Sequence, residues 1–311
     1  MFNTPILYIV FNRLDTVKET FEAIRNIQPK ELFIASDGYR IDKPGEKEKV
    51  NSVRNYILER INWNCNIHTL FRNENVGCKY GPAEAIKWFF NNVESGIVLE
   101  DDILATKSFF YYCELLLKEY KNSTDIGYIC GCTIEQNVTI KDADYFLTTV
   151  IDGWGWASWS SVIKGFNPDI ATLQTKKQKE IKSIIINKNA EKRIMELSLS
   201  AANNEMDAWD YQMADYMAVN GRYSVFPIKP LVRNVGFMLD STHTAIAPDW
   251  YRDISYDYNV TLTDNLKIDK LYTKKYESDF LDKRPFYIRI ASKIIPTSIK
   301  KIIKKNICLK Q

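Results

Sequence analysis

A chain of 311 residues, 45% hydrophobic and 26% charged, has the composition of a globular protein with room for a sizeable core. Its net charge of +3 hides an asymmetry: nine of the 42 basic residues and none of the 39 acidic ones lie in 283–311. The body is therefore net acidic, which argues against nucleic acid as its partner, and the basic tail needs a partner of its own. Six cysteines with no Cys-x-x-Cys pair, beside only two histidines, argue against a structural zinc, and no apolar run is long enough to span a bilayer. The opening Met1-Phe2-Asn3-Thr4-Pro5 leads into a strand with no signal-peptide pattern. Free thiols, unused glycosylation sequons at Asn122 and Asn137 and a cytoplasmic location are the expectation.

Residues 5–11 read as a buried strand, followed by an amphipathic helix with Val17, Phe21, Ile24 and Ile27 on one face. Residues 31–36 form a second strand ending at Asp37-Gly38. A polar loop over 39–48 precedes a helix marked by Val50, Val53, Ile57 and Ile61, then a third strand over 65–71. After a loop at 73–77, Gly81-Pro82 opens a helix through Asn91 with Ala85, Trp88 and Phe89 inward. Strands alternating with crossover helices predict an α/β fold with a mostly parallel sheet flanked by helices.

The fourth strand carries the most chemistry. In Gly96-Ile97-Val98-Leu99-Glu100-Asp101-Asp102-Ile103, an apolar run ends in three carboxylates. Charges cannot follow the strand into the core, so they stand at its carboxyl edge, where open α/β sheets bind ligands. Adjacent acids repel unless something positive stands among them, and hard oxygen donors suit Mg²⁺ or Mn²⁺ bound with a phosphate-bearing substrate. The competing reading is that Asp101 and Asp102 merely cap the next helix. A parallel sheet also brings Asn12-Arg13 and Asp37-Gly38 to the same edge. No Gly-x-Gly-x-x-Gly or Walker loop follows the first strand, so phosphates would be held by a metal and by Arg or Lys.

A helix over 109–120 and strands over 126–132 and 145–150 lead to Asp152-Gly153-Trp154-Gly155-Trp156-Ala157-Ser158-Trp159. It reads as a loop, serving either as packed core or as an aromatic pocket wall in which Trp154 and Trp156 stack on a ligand. Residues 173–204 read as two solvated polar helices. The next helix runs to Ala218 and sets Asp210 on one face with Ala214 and Met217, as a partner of the helix dipole or as a base in a cleft. Irregular extended structure over 222–232 ends at Arg233-Asn234-Val235-Gly236, with Ser241-Thr242-His243 beyond. His243 is either a satisfied hydrogen-bonder or a metal ligand. Over 285–308, Ile299, Ile302, Ile303 and Ile307 make an apolar stripe opposite lysines. This is the pattern of an interfacial helix on an anionic membrane surface, with a basic tail or a protein-docking helix as the alternative.

Phe-Asn-Arg at 11–13, Ser-Asp-Gly at 36–38, Asn-x-Gly-Cys at 75–78, Leu-Glu-Asp-Asp at 99–102, Trp-Gly-Trp-Ala-Ser-Trp at 154–159 and Asn-x-Gly…Thr-His at 234–243 together resemble bacterial nucleotide-diphospho-sugar transferases of the GT-A fold, including the hemolytic-protein-like group. More distantly the set is similar to N-acetylglucosaminyltransferase I. The resemblance covers about residues 5–245. It implies a single GT-A (Rossmann-like) domain whose residues 1–150 form a nucleotide-sugar-binding half and 151–282 an acceptor and catalytic half, with 283–311 as the tail. It further implies Mn²⁺ or Mg²⁺ on Asp102, with His243 as a second candidate ligand. Glu100 and Asp101 would contact ribose, donor sugar or metal-bound water, and Phe11, Asn12, Arg13 and Asp37 would line the nucleotide site. Asp210 would be the general base, with Glu205 and Asp207 as alternatives. The implied activity is transfer, with inversion, of a hexosyl or N-acetylhexosaminyl group to a glycan or lipid-linked glycan in bacterial surface polysaccharide synthesis. The enzyme would sit on the inner face of the cytoplasmic membrane. The rivals are a non-catalytic sugar-nucleotide-binding scaffold and a sugar-1-phosphate nucleotidyltransferase.

Overall fold

The computed structural model describes residues 1–171, 184–236, 256–257 and 259–281. The chain begins with β1 (Ile6–Val10), α1 (Leu14–Ile27), β2 (Glu31–Ser36), α2 (Glu46–Arg60), β3 (Asn66–Phe71), α3 (Gly77–Asn92) and β4 (Ser95–Glu100). A short β5 (Ile103–Ala105) and α4 (Lys107–Glu119) follow, then β6 (Ile126–Cys130), β7 (Tyr145–Thr148), β8 (Trp156–Trp159) and the single-turn α5 (Ser160–Ile163). The last elements are α6 (Lys188–Ala202), α7 (Asp210–Val219), β9 (Tyr223–Pro227), β10 (Val232–Asn234) and α8 (Lys270–Tyr276).

Eight strands form one sheet in the order β3-β2-β1-β4-β8-β6-β9-β7. The first four are parallel, with Ile6–Val10 in register with Leu32–Ser36 on one side and Ile6–Ile9 with Ile97–Glu100 on the other. β8 then enters antiparallel between β4 and β6, β9 runs parallel to β6, and β7 closes the edge antiparallel to β9. The expected α/β class, a mostly parallel sheet flanked by helices, is what the chain forms. Strands buried on both faces explain the continuous apolar runs. Val17, Phe21 and Ile24 of α1 and Ile86 and Phe89 of α3 pack onto them with no exposed surface.

Three expectations are corrected. Residues 156–159 are a core strand and not part of a loop; both faces of β8 are buried, so its sequence shows no alternation. The stretch after 222 is not irregular: β9 lies inside the main sheet and β10 pairs antiparallel with β5. Nor is α6 simply solvated, since Ala190 and Ile194 pack with Ala218 of α7 in a second small core. Residues 283–311 lie outside the described residues. No helix among those described is long and apolar enough to cross a membrane, and no disulfide joins the described cysteines.

Candidate active site at the carboxyl edge of the sheet

Because β1, β2 and β4 are parallel, their ends deliver 11–13, 37–38 and 100–102 to one edge. The acids do not cap the next helix: Asp101 and Asp102 make the turn from β4 into β5, and α4 is capped by Thr106, whose side chain accepts from the Phe109 amide. Asp101 is nearly buried. Its Oδ2 accepts from the Phe11 amide at 3.0 Å, its carbonyl accepts from Thr20 Oγ1 at 3.0 Å, and its Oδ1 takes Arg13 Nη2. The same guanidinium nitrogen lies 3.1 Å from Asp102 Oδ2. The Val235 amide, just past β10, donates to the Asp102 carbonyl at 2.7 Å, while Asp102 Oδ1 is buried with no hydrogen-bond partner among the described residues.

Electrostatics follow from this crowding. Burial first, then the charges of Asp102 and Asp101, push Glu100 up to about 8. Burial likewise raises Asp102 above the usual carboxylate range in spite of Arg13. For Arg13, burial would favour the neutral form, but Asp101 and Asp102 outweigh it and hold the guanidinium charged.

The other expected nucleotide-site residues form the adjoining wall. Asn12 Nδ2 donates to Glu46 Oε1 at 3.0 Å, and Glu46 in turn holds Arg40, whose guanidinium lies 5.6 Å from the Phe11 ring centre. Asp37 accepts from the amides of Gly38, Val76 and Gly77 and from Asn75 Nδ2, all within 3.1 Å, so it braces the 75–77 loop; burial still raises its carboxyl.

Of the three candidate bases, Asp207 is committed elsewhere. It accepts from the amides of Cys78 at 3.0 Å and Lys79 at 2.6 Å, capping α3 from a distant segment. That contact requires Gly77, whose φ is +84° and where a Cβ would sit 2.8 Å from Asp207 Oδ2. It also explains why α3 begins a turn earlier than Gly81-Pro82. Glu205 is exposed and accepts from Ser200 Oγ at 3.0 Å. Asp210, half-buried at the start of α7, adds its charge to the fields at Glu100 and Asp152.

The two tryptophans part company. Trp154 is partly exposed, its amide donating to Asp152 Oδ1 at 2.9 Å. Trp156 has no exposed surface and stacks on Tyr128 at 4.8 Å between ring centres, with Trp209 6.0 Å away. The expectation that Trp156 lines a ligand pocket is therefore corrected: it is core. His243 lies outside the described residues.

Two residues with a part in the site were not anticipated. Asp152, in the turn before Trp154, accepts from Tyr276 Oη at 2.9 Å, and burial pushes its carboxyl up to about 6. Lys79 is 2% exposed; its Nζ meets Asn204 Oδ1 at 2.8 Å and Asp169 Oδ1 at 2.9 Å, which ties the segment leading to Asp210 against α3. The acid standing just before Gly153-Trp154 gave a signal for Asp152. A lone lysine whose partners are about a hundred residues away gives none.

Among the described residues, no group of three His, Cys, Asp or Glu side chains is arranged to hold a metal ion alone. The donor set instead suits a cation that keeps most of its ligands from elsewhere. Asp102 Oδ1 is an orphaned hard oxygen, and Mg²⁺ or Mn²⁺ is commonly held by one or two carboxylates together with phosphate oxygens.

No family profile and no curated protein matches this sequence. Among solved structures, the chain is similar to HddC from Yersinia pseudotuberculosis at 9% identity, over 58% of this chain and 87% of that one, with a TM-score of 0.34. The mannosyltransferase PcManGT from Pyrobaculum calidifontis, solved with GDP-Man and Mn²⁺, matches at 11% identity over 71% of this chain and 70% of its own, with a TM-score of 0.38. Residues 1–349 of TarS from S. aureus match at 11% identity over 73% and 60%, with a TM-score of 0.36.

Proposed function

We propose that this chain is a metal-dependent glycosyltransferase that moves a sugar, with inversion, from a nucleoside-diphosphate donor to a glycan or lipid-linked glycan. The observation that carries the reading is the cluster of Glu100, Asp101 and Asp102 at the carboxyl edge of a parallel sheet, with one Asp102 oxygen left without a partner among the described residues. Asp102 would hold Mn²⁺ or Mg²⁺, whose chemistry is to stabilise the charge that develops on the leaving diphosphate. Asp101 is fixed by Phe11 and Arg13 and orients the turn that presents Asp102. Phe11, Asn12 and Asp37, with the 75–77 loop, form the wall on which the nucleoside would lie, and Trp154 offers the one partly exposed indole of the Gly-Trp turn to a sugar ring. Asp210 would accept the proton of the acceptor hydroxyl as it attacks the anomeric carbon. A tail over 285–308 on an anionic membrane would suit a lipid-linked acceptor in bacterial surface polysaccharide synthesis.

The nucleotidyltransferase alternative calls for a glycine-rich, Arg- or Lys-bearing loop after the first strand. Here Phe11-Asn12-Arg13 passes straight into α1 without a glycine. The test is a thermal-shift screen against UDP-, GDP-, CMP- and dTDP-sugars, each with and without Mn²⁺. One nucleotide class is expected to raise the melting temperature by several degrees only when Mn²⁺ is present. No shift with any donor would favour the scaffold reading.

A further inference from the structure

Arg13 stands at the cap position of α1, yet its side chain makes no capping bond there. It turns back onto the acid cluster, where Nη2 serves both Asp101 Oδ1 and Asp102 Oδ2. Asp101 Oδ2 is already taken by the Phe11 amide. Of the four oxygens on these two acids, Asp102 Oδ1 is the one without a hydrogen bond among the described residues. Nor is Asp102 free to swing clear. The backbone at Gly236 crosses so close that a Cβ there would lie 2.7 Å from Asp102 Oδ2 and 3.0 Å from Asp102 Cβ.

We propose that Arg13 is the resident counter-ion of the acid cluster and makes cation binding at Asp102 conditional on a nucleoside diphosphate. A divalent ion arriving alone finds, on these two aspartates, a single open oxygen, with a fixed positive charge paired to the other oxygen of the same carboxylate. Too few ligands and direct repulsion both weaken the complex. A diphosphate changes both terms. Its oxygens fill the cation's remaining positions, and its charge gives the guanidinium fork new acceptors, since Arg pairs well with phosphate. Asp102 Oδ2 is then released to the metal. Cation and diphosphate enter together, and the acids need not stand unneutralised in the empty protein. The inference rests on the donor reading above.

The test follows Mn²⁺ by the loss of its free-ion electron paramagnetic resonance signal, which requires no turnover. All titrations are run at one fixed pH. UDP, GDP, CDP and dTDP are each added in turn, and their own Mn²⁺ binding is subtracted in a protein-free series. Wild-type protein is expected to bind Mn²⁺ at least tenfold tighter with one of these nucleotides than without. Arg13→Gln is expected to bind Mn²⁺ alone at least tenfold tighter than wild type does. Unchanged or weaker Mn²⁺ binding by folded R13Q overturns the proposal.

A second measurement needs only wild-type protein. The Arg13 Nε–Hε resonance in ¹⁵N-arginine-labelled material, assigned by its loss in Arg13→Lys, should stay put with Mg²⁺ alone and move when Mg²⁺ and the nucleotide are both present. Equal movement with Mg²⁺ alone overturns the proposal. If none of the nucleotides binds wild type with or without metal, the donor reading fails and takes this inference with it. If one binds but R13Q gains no Mn²⁺ affinity, the donor reading stands and this inference alone is lost.

Discussion

Two groups of buried acids in the fold are satisfied in opposite ways. On the side covered by α8, Asp269 accepts from the amides of Thr139, Ile140 and Tyr272 and from Thr139 Oγ1, all at 3.2 Å or less. Glu277, just beyond that helix, accepts from the amides of Ile186 and Asn187 and from Thr149 Oγ1. Burial alone would raise Asp269, yet the donors from Tyr272, Thr139 and Ile140 hold it below its ordinary value. At the carboxyl edge the acids face one another and an arginine; Asp102 is raised, and one of its oxygens is left bare. Acids in the first group are wrapped in neutral donors, whereas the second group leaves one carboxylate incomplete.

Breaking the wrapped set should cost most. Glu277→Ala strands two part-buried amides and a buried hydroxyl, and about 2 kcal/mol of stability should be lost in urea unfolding. A loss below about 0.5 kcal/mol would remove the structural role. Asp152 lies between the two sets, with good donors but an upward shift to about 6. Between its ordinary value near 3.8 and about 6 the folded chain holds a proton that the unfolded chain has released. Its contribution to stability is therefore full below that window and declines as pH rises through it, by at most about 1.4 kcal/mol per pH unit. Asp152→Asn should flatten this part of the stability-versus-pH curve, and an unaltered slope would contradict it. Removing charge from the incomplete set should disturb the fold least. Asp102→Asn is expected to change unfolding stability by less than about 1 kcal/mol in either direction while abolishing the Mn²⁺-dependent donor shift. A loss as large as that of Glu277→Ala would mean that Asp102 is structural after all.

The alternation of strands and helices through residue 100 was legible because each element has its own period: apolar runs for buried strands, a 3.6-residue stripe for α1. The position of the acid cluster was legible too, since three charges cannot be buried along a strand. The far half of the sheet was harder to read. β8 has no alternation because both of its faces are packed, and the glycine at 155, with φ +65°, punctuates it as a turn would. That Asp207 is occupied could not be read from spacing, because the amides it accepts from belong to residues 78 and 79. Trp156 failed as a pocket wall for a related reason: its stacking partner, Tyr128, comes from another strand. Local pattern names the elements, and contacts between distant segments decide which side chains remain available.

The strand order also fixes when the site can exist during synthesis. β3, β2, β1 and β4 are contiguous both in the chain and in space, so this parallel half of the sheet can assemble as soon as residue 100 has left the ribosome. β8 must then be made before β4 gains its second neighbour, and β9 inserts between β6 and β7 although it follows both. The amide that bonds the Asp102 carbonyl belongs to residue 235, and Asp207 cannot close the end of α3 until the chain has grown well past its midpoint. The acid cluster is thus translated early and completed late. Arg13, eighty-odd residues upstream, has already been made when the acids emerge, so their one cationic partner among the described residues of the finished fold is the earliest to be available.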